Sequence, residues 1–302
     1  MQLTRRGARN IGWLRRYDCR RRCAARGARS SGWVQMQSFA GKVVLITGAS
    51  EGIGRALALS LAAERPRLAL SARSGARLEE AAVECRARGA EVLTVPADVS
   101  RREDCTQLVA RTVERFGHLD ALVNNAGITM WSRFDEVRDF GMFERLLAVN
   151  YLGAVYLTAA ALPHLKGSRG LIVAVASLAG LTGVPERTGY AASKHALVGF
   201  LESLRIELRG SGVDVTIVAP DFVLSEIHRR AAGPDGAPLG RSPMQEPHLM
   251  TAQQCAQRII KAMRRRQRLL ITSARGRLGL WARLLAPALV DTIAARAIRE
   301  RR

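Results

Sequence analysis

The sequence predicts a doubly wound α/β fold, with helices on both faces of a mostly parallel sheet of seven strands, and three observations predict it. From residue 42 onward, short apolar runs alternate with longer amphipathic stretches, the pattern of strands and crossover helices. The runs Val43-Val44-Leu45-Ile46 and Leu171-Ile172-Val173-Ala174-Val175 are apolar at consecutive positions, as strands covered on both faces must be. A glycine-rich turn, Gly48-Ala49-Ser50-Glu51-Gly52-Ile53-Gly54, leads from the first run straight into the helix-like Arg55-Ala56-Leu57-Ala58-Leu59-Ser60-Leu61.

Taken in order, the strands are expected at 42–47, 67–72, 91–95, 119–123, 171–176 and 214–218, with a weaker one at 268–271. The intervals between them are long enough for helices, and right-handed crossovers then wind the chain around both faces. One domain over residues 38–275 accommodates all of this, with no internal repeat or low-complexity linker. Its loop over 221–250, rich in Pro and Gly from residue 226, follows the sixth strand and is expected to shape a substrate site, with Ile227, Leu239, Met244, Leu249 and Met250 suiting a bulky lipophilic ligand.

Charge divides unevenly along the chain. The net +21 is made of +9 in residues 1–35, +11 in residues 258–302 and only +1 between them. A duplex-binding domain needs its positive stripe on the folded surface, so nucleic acid is not an expected partner. The Arg-rich segment 1–35 resembles a transit peptide or an untranslated leader read as protein, and Met36, just ahead of the first strand, favours the second. In the tail over 276–302, Leu278, Leu280, Trp281, Leu284, Leu285, Leu289 and Val290 stand among arginines, a run too short and interrupted to span a bilayer. An interfacial helix on anionic lipid and a helix docked on the protein's own core or a dimer partner are equal readings of it. Cysteines at 19, 23, 85, 105 and 255 and five scattered histidines form no metal spacing, so reduced thiols, no metal and a cytoplasmic protein, peripheral at the inner face of a membrane if the tail binds lipid, are expected.

The glycine turn has a specific use. Glycines at this spacing permit a tight turn, close backbone approach to a pyrophosphate and close helix packing, while the helix N-terminus supplies amides to the phosphates of a dinucleotide. The second strand ends in Ser71-Ala72-Arg73-Ser74. A carboxylate there would bind the ribose hydroxyls of NAD, whereas a guanidinium grips the 2′-phosphate of NADP, so NADP(H) is preferred over NAD(H), although Glu51 in the turn does not favour a phosphate nearby.

Tyr190 and Lys194 are four residues apart and share a helix face, which Leu197, Leu201 and Leu208 continue inward. An ammonium beside a phenol favours the tyrosinate, which suits Tyr190 to proton exchange with a carbonyl/alcohol pair. Lys194 is one of only four lysines against 43 arginines. Ser177 follows the fifth strand at the carboxyl end of the sheet, where ligands of open α/β folds bind.

The glycine turn, Asp98-Val99, Asn124-Asn125-Ala126-Gly127, Asn150, Ser177, Tyr190 and Lys194, in this order over residues 40–225, resemble the short-chain dehydrogenase/reductase family, whose fold is of the Rossmann type. From Leu157 to Phe200, including Ala160-Ala161-Leu162-Pro163 and Ser177-Leu178-Ala179-Gly180, the chain is most similar to its 11β-hydroxysteroid dehydrogenase-like and ketosphinganine reductase-like branch. The resemblance implies that Ser177 hydrogen-bonds the substrate oxygen, that Asn150 holds a water linking Lys194 to solvent, that Lys194 binds the nicotinamide ribose, that Asp98 and Val99 meet the adenine, and that Asn124 buttresses the central strands. It implies cofactor contacts from Thr47, Gly48, Ser50, Gly52, Ile53 and Gly54, from Ala126 and Gly127, and from Pro220, Val223 and Ser225. The family's Pro-Gly after the sixth strand is here Pro220-Asp221, and Ser225 stands for a threonine, which puts the nicotinamide-facing contacts in doubt. A homodimer or homotetramer is implied. The expected activity is ketone/secondary-alcohol interconversion on a lipophilic substrate; the alternatives are a 3-oxoacyl-thioester reductase and a non-catalytic dinucleotide-binding regulator.

Overall fold

A computed structural model describes residues 38–244 and 249–299. The basic segment 1–35 with Cys19 and Cys23 lies outside the described residues, as do 245–248 of the expected loop and 300–302 of the tail.

Seven parallel strands form one sheet: β1 Val43–Thr47, β2 Arg67–Ala72, β3 Glu91–Pro96, β4 Ala121–Asn124, β5 Leu171–Val175, β6 Asp214–Ala219 and, last in the chain, β9 Leu269–Ile271. Their spatial order is β3-β2-β1-β4-β5-β6-β9, so the winding reverses between β1 and β4. A short parallel pair, β7 Val223–Leu224 and β8 Met250–Thr251, stands apart. Each expected strand is present within two residues of its expected bounds.

Period-two alternation sorts the strand side chains between two cores. Val44, Ile46, Leu68, Leu70, Val123 and Val173 pack with α1 Gly52–Ala62, α2 Gly75–Ala87 and α7 Ala252–Arg264. Val43, Leu45, Ala69, Leu122, Ile172 and Ala174 pack with α3 Arg102–Phe116, α5 Gly153–Ser168 and α6 Thr188–Glu207. Each buried Val, Leu or Ile among them stabilises the fold by roughly 1.5–3 kcal/mol relative to exposure. α7 starts on a reciprocal cap in which the Thr251 hydroxyl accepts from the Gln254 N–H and the Gln254 side chain accepts from the Thr251 N–H.

α4 Gly141–Leu147 runs through a π-helical turn, Ala148–Leu152, into α5. This apolar helix, Gly141–Ser168, is long enough to cross a membrane by length and composition, but its buried side chains Leu157, Ala161 and Leu165 belong to the sheet's second core. Cys85, Cys105 and Cys255 are buried, and burial pushes their thiols up to about 11, 12 and 12. The boundary expected at residue 275 falls inside α8 Ala274–Leu285, which is followed by α9 Pro287–Arg299.

Candidate active site

The carboxyl ends of β1, β4, β5 and β6 open into a cavity of about 470 Å³ at the point where the strand order reverses, the usual ligand position in open α/β sheets. Glycine-turn residues, Arg73, Asp98, Val99, Ala126, Gly127, Ser177, Tyr190, Lys194, Pro220, Val223 and Ser225 line it.

The glycine turn is shaped by contact as well as by backbone. Gly48 and Gly52 have left-handed φ of +64° and +55°. A Cβ on Gly54 would stand 2.2 Å from the Gly48 carbonyl oxygen, so the turn can close on α1 only with glycine there. Glu51, the N-cap of α1, makes no side-chain cap, which leaves the first-turn amides to a ligand. The charge that Glu51 brings to the turn is met by Arg77 at 3.1 Å and by Arg230, both lining the cavity.

Thr47 ties the turn to β4. Its Oγ1 accepts from the N–H groups of Asn125 and Ala126 at 3.0 and 3.1 Å and donates to the Val123 carbonyl at 3.2 Å. Asn125 Nδ2 donates to the Thr47 and Gly48 carbonyls at 2.8 and 3.2 Å. The bracing expected of Asn124 therefore falls to its neighbour. Asn124 points to the other face and donates to Thr158 Oγ1 of α5 at 3.3 Å, because adjacent residues on a strand face opposite ways.

Toward β3, Asp98 Oδ1 accepts from the Ser100 N–H and hydroxyl at 2.9 and 2.7 Å. Burial opposes its ionisation, but these two bonds and the nearby Arg73 and Arg101 outweigh burial and hold the carboxyl below its ordinary value. Arg73 is exposed at the rim, with no hydrogen-bonded partner among the described residues.

On the opposite side stand the residues suited to proton transfer. Tyr190 is 8% exposed, set among Met130, Met142, Leu146 and Ala179. Lys194, at 4% exposure, donates from Nζ to the Val175 carbonyl at 2.9 Å, and burial pushes its ammonium down from 10.5 to about 8. Ser177 caps a short turn by accepting from the Ala179 N–H at 3.1 Å, which leaves its hydroxyl proton for a ligand.

Asn150 sits in the π-helical turn, nearly fully buried. Its Nδ2 donates to the Ile128 carbonyl at 3.0 Å and to Ser193 Oγ at 2.9 Å, and its Oδ1 accepts from the Ile128 N–H at 2.9 Å. Both amide hydrogens are thus committed, and on this side chain only the second lone pair of Oδ1 remains to hold a water. Ser193 donates onward to the Tyr190 carbonyl at 2.8 Å, joining Asn150 to the helix that carries Tyr190. Lys194 and Asn150 converge over Gly127, where a Cβ would stand 3.1 Å from Asn150 Oδ1 and 3.5 Å from Lys194 Nζ.

Three features take a role that the sequence reading did not assign. Asp221 needs no glycine-like backbone; its carboxylate accepts from Phe222 N–H, Ser273 Oγ and Arg275 and so holds the start of α8. Gly276, Gly279 and Leu280 of α8, with Val290 and Ala294 of α9, line the cavity. Arg187, 5% exposed, lies between the rings of Trp131, Tyr190 and Phe222, beside His228, whose imidazole burial and the Arg187 charge push down to about 4. Of the lipophilic residues expected from the 221–250 loop, Ile227 lines the cavity, while Met244 is buried elsewhere and Met250 belongs to β8. The Arg187 cage needs partners distant in sequence, which leave no local mark, but the Asp221 substitution was a visible signal.

The arrangement fits a dinucleotide: uncapped amides behind a glycine turn, a basic group at the β2 end and an acidic one at the β3 end, and a proton-transfer group across the cavity. The sequence model of the short chain dehydrogenase family matches residues 42–234. The 11-beta-hydroxysteroid dehydrogenase 1A of Arabidopsis thaliana is 40% identical over 262 residues, 84% of this chain and 75% of its own length. The dehydrogenase/reductase SDR family protein 7-like of Dictyostelium discoideum is 34% identical over 260 residues, 84% of this chain and 81% of its own. Among solved structures, a short chain dehydrogenase/reductase from Burkholderia phymatum in complex with NAD aligns with a TM-score of 0.74 at 28% identity, over 84% of this chain and 96% of that one. An alcohol dehydrogenase from Thermococcus sibiricus complexed with 5-hydroxy-NADP aligns with a TM-score of 0.66 at 29% identity, over 76% and 94%. With the sheet order, the glycine turn and the matched span in agreement, the chain belongs to the short chain dehydrogenase family and is an NAD(P)-dependent oxidoreductase of its 11β-hydroxysteroid dehydrogenase-like branch.

Proposed function

We propose that this oxidoreductase uses NADP(H) in preference to NAD(H) to interconvert a ketone and a secondary alcohol on a lipophilic substrate. The observation that carries the reading is the convergence of Ser177, Tyr190 and Lys194 on one cavity whose remaining wall, from α8 and α9, is built of Gly276, Gly279, Leu280, Val290 and Ala294.

When bound, the nicotinamide supplies or accepts a hydride. The Tyr190 hydroxyl donates its proton to the carbonyl oxygen as that oxygen gains charge, and takes it back in the oxidative direction. Ser177, with its acceptor side already engaged by Ala179, donates a hydrogen bond to the same oxygen. Lys194 keeps one N–H on Val175 and has two for ribose hydroxyls, while its charge favours the ionised phenol. Asn150 fixes this helix through Ser193, and the second lone pair of its Oδ1 suits a relay water. Arg73, exposed at the end of β2, suits a 2′-phosphate, and Asp98 an adenine amine.

The outer faces of α8 and α9 support a peripheral contact with anionic lipid. Trp281 and Leu285 are 69% and 85% exposed, and with Leu278 they share the face of α8 opposite the cavity residues Gly276, Gly279 and Leu280; Leu284, Leu289 and Ile293 are also exposed, among arginines. A lipophilic ketone would then reach the cavity beside the surface in which it dissolves. The names of the Arabidopsis relatives direct attention to neutral polycyclic ketones.

A panel of 11-oxo and 11-hydroxysteroids, long-chain 2-ketones and 3-oxoacyl thioesters, followed by nicotinamide absorbance, tests the reading. Turnover of the neutral lipophilic pairs, lowered at least ~100-fold in Tyr190→Phe with NADPH binding kept, is expected. Turnover of acyl-carrier thioesters alone would select the thioester reductase, and NADPH binding without turnover of any pair would select the regulator.

A further inference from the structure

Arg187 opens α6 three residues ahead of Tyr190 and is almost wholly buried, yet among the described residues no carboxylate pairs with it. Its Nη2 donates to Thr129 Oγ1 at 2.8 Å, and its Nε has no partner. Its guanidinium carbon stands 4.8 Å from the Trp131 ring centre, 4.7 Å from that of Tyr190 and 5.7 Å from that of Phe222. Lys194 Nζ, by comparison, is 5.8 Å from the Tyr190 ring centre. An apolar side chain of similar length would fill such a ring cage without bringing an uncompensated charge out of water.

We propose that Arg187 is a second cation of the proton-transfer centre, a positioning residue that acts through Tyr190 by favouring its ionised form. The inference rests on the reading of Tyr190 as the proton-transfer residue. The geometry gives the reason for the burial: in a site shielded from water, a fixed positive charge against the ring stabilises negative charge developing on the phenol far more than it would in solution. Other charges facing the ring are few. On α6 they are Arg187 and Lys194; α4 presents Met142, Phe143 and Leu146; the segment after β4 presents Met130 and Trp131; the turn after β5 presents Ala179; and after β6 the titratable neighbour is His228, kept neutral by burial and by Arg187 itself. Glu186 is turned to the Trp131 indole N–H, 2.7 Å away. Among the described residues, two cations and no facing carboxylate therefore flank Tyr190, and the closer of the two to its ring is the one outside the Tyr-x-x-x-Lys pattern.

The test is the ultraviolet tyrosinate titration of the full chain, with Tyr190→Phe as the reference that isolates the Tyr190 contribution. In Arg187→Met this contribution is expected to emerge about one pH unit higher than in the wild type, a tenfold change worth ~1.4 kcal/mol, and Arg187→Lys to stay near the wild type. The rising limb of kcat/KM for oxidation of an 11-hydroxysteroid should move with it. Arg187→Gln, also neutral, serves if Arg187→Met does not fold. A titration unmoved in both neutral variants, or moved equally in Arg187→Lys, overturns the proposal. Full activity in Tyr190→Phe overturns the reading beneath it instead, so the two failures are distinguishable.

Discussion

The Asp221 carboxylate holds Arg275 with both oxygens, each 3.0 Å from Nη2, and accepts from Ser273 Oγ at 2.8 Å. Arg275 is largely exposed, so its share is worth under about 1 kcal/mol. The bond to Ser273 is better shielded and contributes roughly 1–2 kcal/mol. Asp221→Asn should therefore loosen the start of α8, with amide hydrogen exchange over 274–285 accelerated about tenfold and the exchange of β5 unchanged. An unaltered exchange pattern would mean that the helix is held by packing alone.

The same helix pair presents its apolar outer face without cover from the described chain. A chain ending at residue 273 should lose at least tenfold in partitioning onto anionic vesicles, as measured by sedimentation. Equal partitioning of the two forms would remove the tail from any role at a membrane; concentration-dependent dimerisation lost on truncation would assign the face to a second copy.

Gly54→Ala puts a Cβ 2.2 Å from the Gly48 oxygen. The turn must shift, at a cost of about 1–3 kcal/mol, and the amides behind it move off the phosphates. NADPH affinity, read by cofactor fluorescence, should fall at least tenfold while the far-ultraviolet dichroism stays that of a folded chain.

Burial lowers Lys194 from 10.5 to about 8, so the native state sheds its proton before the unfolded chain does. Below pH 8 both states carry the proton and the native state bears the full penalty. Between about 8 and 10.5 the unfolded chain holds more protons, and stability rises with pH. Urea unfolding of wild type and Lys194→Met across that window should show the wild type gaining up to about 3 kcal/mol on the variant. A flat difference would contradict the buried ammonium.

Arg73→Ala tests the choice of cofactor. Loss of charge-assisted bonds of roughly 1.5–3 kcal/mol should lower the ratio of kcat/KM for NADPH over NADH at least tenfold. An unchanged ratio takes Arg73 out of the selection.

The seven sheet strands were legible because apolar runs buried on both faces leave little freedom of placement, and Lys194 because it falls on an inward helical stripe. Asn125 was open to the same reasoning, since it shares the parity of Val123 and hence the face of the glycine turn. Arg187 was not. One arginine among 43 carries no local mark, and its burial exists only once Trp131 and Phe222, distant in sequence, close around it. The tail showed its amphipathic pattern, but a pattern does not tell which stripe turns inward; that was decided by where Asp221 anchors α8.

Glu51 joins Arg77, at the start of α2, to Arg230, in the loop beyond β7. All three side chains are partly solvated, so the fastening across the mouth of the cleft is weak, about 1 kcal/mol or less for each pair. It is a clasp that ordinary thermal motion undoes. Dissolved salt, by screening both pairs, would loosen it further.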